Sequence, residues 1–114
     1  MSTQVVVARL SGLTGRAAEL RQLLAERARD VRAEDGCVSY EVAEALDEPA
    51  GFLIVQTWTS SETMRAHFST AAHGAYQHQV DELLASPSEV VLHEVASTTR
   101  PSASTSPTDP GRFG

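Results

Sequence analysis

The stretch from Phe52 to His67, F-L-I-V-Q-T-W-T-S-S-E-T-M-R-A-H, limits the possible folds more than any other part of the chain. It opens with four apolar residues in a row, Phe52 to Val55. A strand with one wet face would alternate, so this one is expected to be covered on both sides. The pattern then turns helical. Thr59 is read as the N-cap and Glu62, three residues on, as its capping-box partner, each side chain satisfying a free backbone N–H. Trp58 falls at the junction, where a large ring can line a space between sheet and helices. Strand alternation puts Phe52, Ile54, Gln56 and Trp58 on one face, with Gln56 the single polar member.

Taken in order, the chain supplies more such units. Val5 to Leu10 reads as a strand that is apolar on both faces, and Ser11 to Gly15 as a turn. Thr14 or Gly15 caps a helix expected to reach about Ala33. Its apolar face is Ala17, Leu20, Leu24, Ala28 and Val31, and the charges of Arg16, Glu19, Arg21, Glu26, Arg29 and Asp30 lie opposite. Glu34-Asp35-Gly36 stops it. Cys37 to Leu46 is the next strand, with Val38, Tyr40 and Val42 on one face. Asp47 to Gly51 is a hairpin loop leading into Phe52 to Trp58. The capped helix runs to about Ser69. A further helix spans Ala71 to Ala85, with Ala72, Tyr76, Val80 and Leu83 on one side, and Pro87 ends it. Glu89 to Ala96 is the last strand.

The order β-α-β-β-α-(α)-β defines an α+β fold of the ferredoxin-like, split β-α-β kind, with an antiparallel sheet. One layer of helices covers one face of that sheet. The two-sided apolar strands would leave the other face greasy and wet, which monomers rarely tolerate. A homodimer with sheets face to face, a dimeric α+β barrel, is the expected solution. One domain, residues 1–97, is expected. From Ser97 onward Ser, Thr, Pro and Gly dominate, and residues 98–114 read as a disordered tail.

The net charge is −6 and all nine basic residues are scattered arginines. Nucleic acid and anionic membrane are therefore not expected partners. The single Cys37 precludes an internal disulfide. No apolar run approaches the roughly 18 residues of a membrane span. Met1 to Gln4 lead straight into a strand, so no signal peptide is expected, and the expected location is the cytoplasm.

Candidate chemistry rests on a few polar groups among apolar neighbours. His67 follows the start of its helix by about two turns, so it can face the sheet. His73 opens the next helix and shares a face with Tyr76 at i+3. Gln56 either finds an internal hydrogen bond or holds a ligand oxygen. His78 is expected in solvent and His93 on the dimer side. Arg9 is expected at the strand end, paired with an acid. The histidines lack metal-ligand spacing, and no dinucleotide, P-loop or nucleophile-elbow motif occurs. No cofactor and no metal are expected.

W-T-S-S-E-T-M-R-A-H, preceded upstream by D-G-C-V-S-Y-E-V, resembles the antibiotic biosynthesis monooxygenase family of the dimeric α+β barrel superfamily, over about residues 4 to 97. The resemblance implies oxidation of a small quinol or polyketide-like aromatic by dioxygen, without metal or flavin, the substrate supplying the electrons. It implies His67 or His73 as base, Trp58 and Phe52 as an aromatic slot, and Gln56 and Tyr76 as oxygen-holding groups. Ile54 stands where polyketide-oxidising relatives carry Asn. The haem-degrading branch needs an Asn in the first strand, and this chain has none. A non-catalytic ligand-binding dimer and a polyketide-type isomerase or cyclase are alternatives on the same fold.

Overall fold

A computed structural model describes residues 2–101. The first strand, β1, is Gln4–Ser11, and the long helix α1 is Ala17–Arg32. A hairpin follows, β2 Cys37–Glu44 and β3 Gly51–Trp58. Two short helices, α2 Ser61–Phe68 and α3 Ala71–Asp81, lead to β4, Glu89–Glu94. The sheet is antiparallel throughout, in the order β2-β3-β1-β4. This is the α+β, split β-α-β arrangement expected from the sequence.

Register assigns the faces, because directly opposed residues point the same way. Val6 faces Gln56 and Leu92, and Ala8 faces Ile54 and Val90. Tyr40 faces Gln56 and Val42 faces Ile54. Those on β1, β2 and β3 lie under the helices. The core joins them to Leu20, Leu24, Ala28 and Val31 of α1 and to Met64, Tyr76, Val80 and Leu83. The period-two and period-3.6 patterns therefore meet in one apolar layer, as the sequence requires.

Four local expectations need correction. The N-cap of α2 is Ser60, not Thr59: its hydroxyl accepts from Thr63 N at 3.2 Å, so Glu62 closes no capping box. Helix α1 begins after Arg16, which makes no side-chain cap bond. Helix α3 ends at Asp81 rather than Ala85, well before Pro87. Leu13 N donates to Leu83 O and Ala85 N to Ser11 O, so this segment pairs with the end of β1 instead of completing a last turn. Finally, Val38 does not share the face of Tyr40. The β2–β3 register shifts between Cys37 and Ser39, and this bulge leaves Val38 61% exposed.

Gly36 makes the sharp turn out of α1 with φ +82°, and a Cβ there would strike the Thr63 side chain at 2.4 Å. That close approach seats the start of α2 against the α1–β2 turn. The helix layer stops short of β4. Val90 and Leu92, on its inner side, are 52% and 53% exposed. The opposite sheet face carries Val5, Val7, Leu53 and Val55, all half-buried, with exposed Arg9, Val91 and His93. Arg9 lies opposite Glu89 in the ladder, away from the helices. Residues 102–114, most of the expected tail, lie outside the described residues.

Candidate functional site

A cavity of about 160 Å³ lies between α3 and the inner face of the sheet. Its apolar walls include Val6, Ala8, Leu10, Ile54, Phe68 and Val80. His73, Tyr76, Tyr40 and Gln56 bring polar atoms to it. Half-buried Gln77 and Ser88 and exposed Val90 line its outer side. Helix α3 supplies His73 and Tyr76. Thr70 caps it, accepting from His73 N at 3.0 Å, and so fixes His73 in the first turn. Tyr76 follows one turn later and Val80 one turn beyond it, all on the face turned to the sheet.

The polar end of the cavity is built in two layers. His73 and Tyr76 form the inner one, with ring centroids 5.9 Å apart. Burial raises both tyrosine hydroxyls above the ordinary phenol range, so Tyr40 and Tyr76 remain protonated donors at neutral pH. Among the described residues, buried His73 Nδ1 finds no hydrogen-bond partner. Burial holds His73 below the ordinary histidine pKa, and the neighbouring His67 and Arg27 charges push the same way. At neutral pH its ring is uncharged and can accept a proton.

His67 lies behind His73, their ring centroids 5.0 Å apart. It is buried, and Nδ1 stands 2.9 Å from Glu34 Oε1. A carboxylate only accepts, so Nδ1 carries the hydrogen. Burial lowers the His67 pKa, while the Glu34 carboxylate pulls it back upward. Trp58 stacks on His67, with centroids 4.8 Å apart and planes 28° apart, and its Nε1–H donates to Gln56 Oε1 at 2.9 Å. Arg27 completes the layer. Its guanidinium sits 5.2 Å over the Tyr76 ring and 3.9 Å from Glu34.

The sequence-derived candidates thus divide. Gln56, His73 and Tyr76 reach the cavity wall. His67 and Trp58 stand one layer back, His67 against His73 and Trp58 against Gln56, so neither forms the cavity surface. Phe52 is buried on the same face as Gln56, toward the other end of β3, and does not line the cavity. An aromatic slot of Trp58 and Phe52 is therefore replaced by a wall of Ile54, Phe68 and Val80. The sequence reading missed Tyr40, Glu34 and Arg27. Tyr40 was legible as the partner of Gln56 across the hairpin. Arg27 was legible too, seven residues after Leu20 and three after Leu24, on the apolar face of α1. Glu34 had no signal, because its contact with His67 spans 33 residues. Of the other histidines, His78 is exposed beside Glu82 and His93 lies on the outer sheet face. Among the described residues no three His, Cys, Asp or Glu side chains converge as metal ligands.

Fold and cavity together define a ferredoxin-like α+β domain with a cavity between sheet and helices. Residues 3–79 match the family model described as antibiotic biosynthesis monooxygenase, and the chain belongs to that family. It is 31% identical to YcnE of Bacillus subtilis, provisionally named a monooxygenase, over 57% of this chain and 68% of that protein. It is also 31% identical to protein sll1783 of Synechocystis over 59% of this chain, and the match spans only 46% of that relative. A Deinococcus radiodurans structure, provisionally named an antibiotic biosynthesis monooxygenase, superposes with a TM-score of 0.81 at 28% identity, covering 87% of this chain and 98% of that one. Rv0793 of Mycobacterium tuberculosis superposes with a TM-score of 0.80 at 28% identity, covering 87% and 100%. Among the described residues no helix is long and apolar enough to cross a membrane.

Proposed function

We propose that the protein is a monooxygenase that oxidises a small phenolic ring with dioxygen, using His73 as the base. The observation that carries this is the imidazole of His73, its buried Nδ1 without a partner among the described residues, at the polar end of an otherwise apolar cavity. Family membership supports the monooxygenase class. Cavity size narrows the substrate: about 160 Å³ compares with the roughly 150 Å³ that accommodates benzene in an engineered protein cavity. A single ring fits such a volume, whereas a linear polyketide of three or four rings does not.

A phenol in water has a pKa of about 10, so little is ionised at neutral pH. His73, uncharged, takes the phenolic proton as the oxygen approaches its ring. The hydroxyls of Tyr40 and Tyr76 pair with each other, which leaves one of their hydrogens, with the amide of Gln56, as the donors available to the resulting phenolate. Gln56 Oε1 is held by Trp58, which leaves the Gln56 NH₂ as the free end. Trp58 thus acts on the site through Gln56. The apolar walls keep ring and dioxygen together and exclude water. The reaction balances without an added reductant. A phenol with an open para carbon plus O₂ gives a quinone plus water, the ring losing two hydrogens and gaining one oxygen.

Oxygen uptake by metal-stripped protein with one-ring phenols that have an open para carbon tests this. Uptake is expected, with a product that has gained oxygen, and His73→Gln should lower kcat by roughly 10²-fold. Absence of uptake across the panel contradicts it. A product of unchanged mass, or of mass reduced by water, would instead mark an isomerase or cyclase.

The functional unit is proposed to be a homodimer joined through the outer sheet face. Val5, Val7, Leu53 and Val55 form an apolar patch across the two central strands there, and such patches on soluble chains mark an interface.

A further inference from the structure

The groups behind His73 are arranged for more than packing. From the cavity inward the order is His73, His67, Glu34. From there it turns outward, because the Glu34 side chain is 28% exposed while that of His67 is 1% exposed. A buried imidazole without a partner is costly unless something transiently supplies one. His73 Nδ1 is such a group, and the ring nearest to it that can give or take a proton is His67.

We infer that Glu34 and His67 form a proton-accepting pair behind the cavity: His67 takes the substrate proton on from His73, and Glu34 positions His67 and balances its charge. This rests on His73 as the base. The substrate O–H bond breaks as an N–H bond forms on His73. His73 then releases a proton to Nε2 of His67, the ring nitrogen not engaged by Glu34. His67 becomes an imidazolium beside a carboxylate, and Glu34 itself stays ionised, with Arg27 near its other oxygen. No electron moves in these steps. The phenolate is left facing a neutral His73, so the base is restored before dioxygen reacts. The ion pair of His67 and Glu34 carries no net charge, which makes it far cheaper to bury than a lone imidazolium.

The charged and titratable groups around the pair are Arg27 from α1, Cys37 and Tyr40 from β2, and Tyr76 from α3. Among the described residues only the carboxylate of Glu34 favours the charged form of both histidines; Arg27 opposes it. Glu34 is thus a positioning residue, and its removal should act on His67 first and on His73 through it.

Histidine ring nitrogens followed by NMR across pH, in the wild type, Glu34→Gln and His67→Gln, test the pair directly. Glu34→Gln should move the His67 titration down by about half a pH unit or more, and the His73 curve should change with it, as coupled sites do. His67→Gln should leave His73 titrating in a single step, and it serves if Glu34→Gln fails to fold. A His73 curve identical in all folded variants overturns the proposal. The kinetic arm uses whichever phenol the wild type oxidises. Glu34→Gln should lower kcat about tenfold or more with KM within about twofold. A wild type that oxidises no phenol contradicts the monooxygenase function and leaves the titrations to decide the pair. Oxidation with a kcat indifferent to Glu34→Gln overturns the pair alone.

Discussion

Burial, more than any single contact, sets the state of the two histidines. Both His67 and His73 are held below the ordinary value of about 6.5 chiefly because their charged forms are poorly solvated where they lie. The consequence for stability has a definite sign. Between the lowered folded values and about 6.5 the unfolded chain binds more protons than the folded one, so stability rises with pH across that window. The contribution is complete above about 6.5 and is lost as pH falls below it. Thermal unfolding measured from pH 8 down to pH 5 should show the midpoint falling on the acid side, and His73→Gln should flatten that fall. An equal slope in both proteins would remove His73 from the account.

Single residues also mark the limit of what sequence conveys about the site. Gln56 and Trp58 could be placed together because they are two apart on one strand. Their mutual hydrogen bond, which closes Trp58 off behind Gln56, depends on rotamers that no spacing encodes. His73 and Tyr76 were legible as a pair at i+3 on a helix. Glu34 was not, since it sits in a turn, which is expected to be wet, and its partner His67 comes from a helix 33 residues away.

At the level of elements, patterning carried the strands well and the helix ends poorly. The four apolar residues from Phe52 to Val55 fit a central strand covered on one side by helices and apolar on the other, and β3 is such a strand. Helix termini depend on one hydrogen bond each. Thr59, Ser60 and Ser61 are all chemically able to cap α2, and Ser60 is the one whose hydroxyl accepts from Thr63 N. Ser60→Ala should therefore cost about 1 kcal/mol in urea unfolding. Thr59→Ala should cost little, because its hydroxyl reaches only the Thr63 side chain, at 3.4 Å. The reverse ranking would restore the sequence-based cap. The end of α3 was misread for a related reason: backbone pairing of residues 83–85 with the turn after β1 competes with helix continuation, and sequence propensity contains no trace of that partner.

For the molecule as a whole, the imbalance between the two sheet faces is the main constraint. Helices cover one side and leave Val5, Val7, Leu53 and Val55 only half-covered on the other. Sedimentation equilibrium should find a dimer. Val55→Glu, in the middle of that face and opposite Val7, should yield a folded monomer. A wild type that is monomeric at micromolar concentration would contradict the homodimer.

The cavity beneath α3 joins these scales, since strand register, helix capping and buried charge all converge on it. Its occupant is the most direct test. Crystals soaked with a one-ring phenol that resists oxidation should show the ring between Ile54, Phe68 and Val80. Its oxygen should lie within about 3 Å of a His73 ring nitrogen. A ring bound elsewhere, or bound in the cavity with its oxygen turned away from His73, would contradict the proposed chemistry.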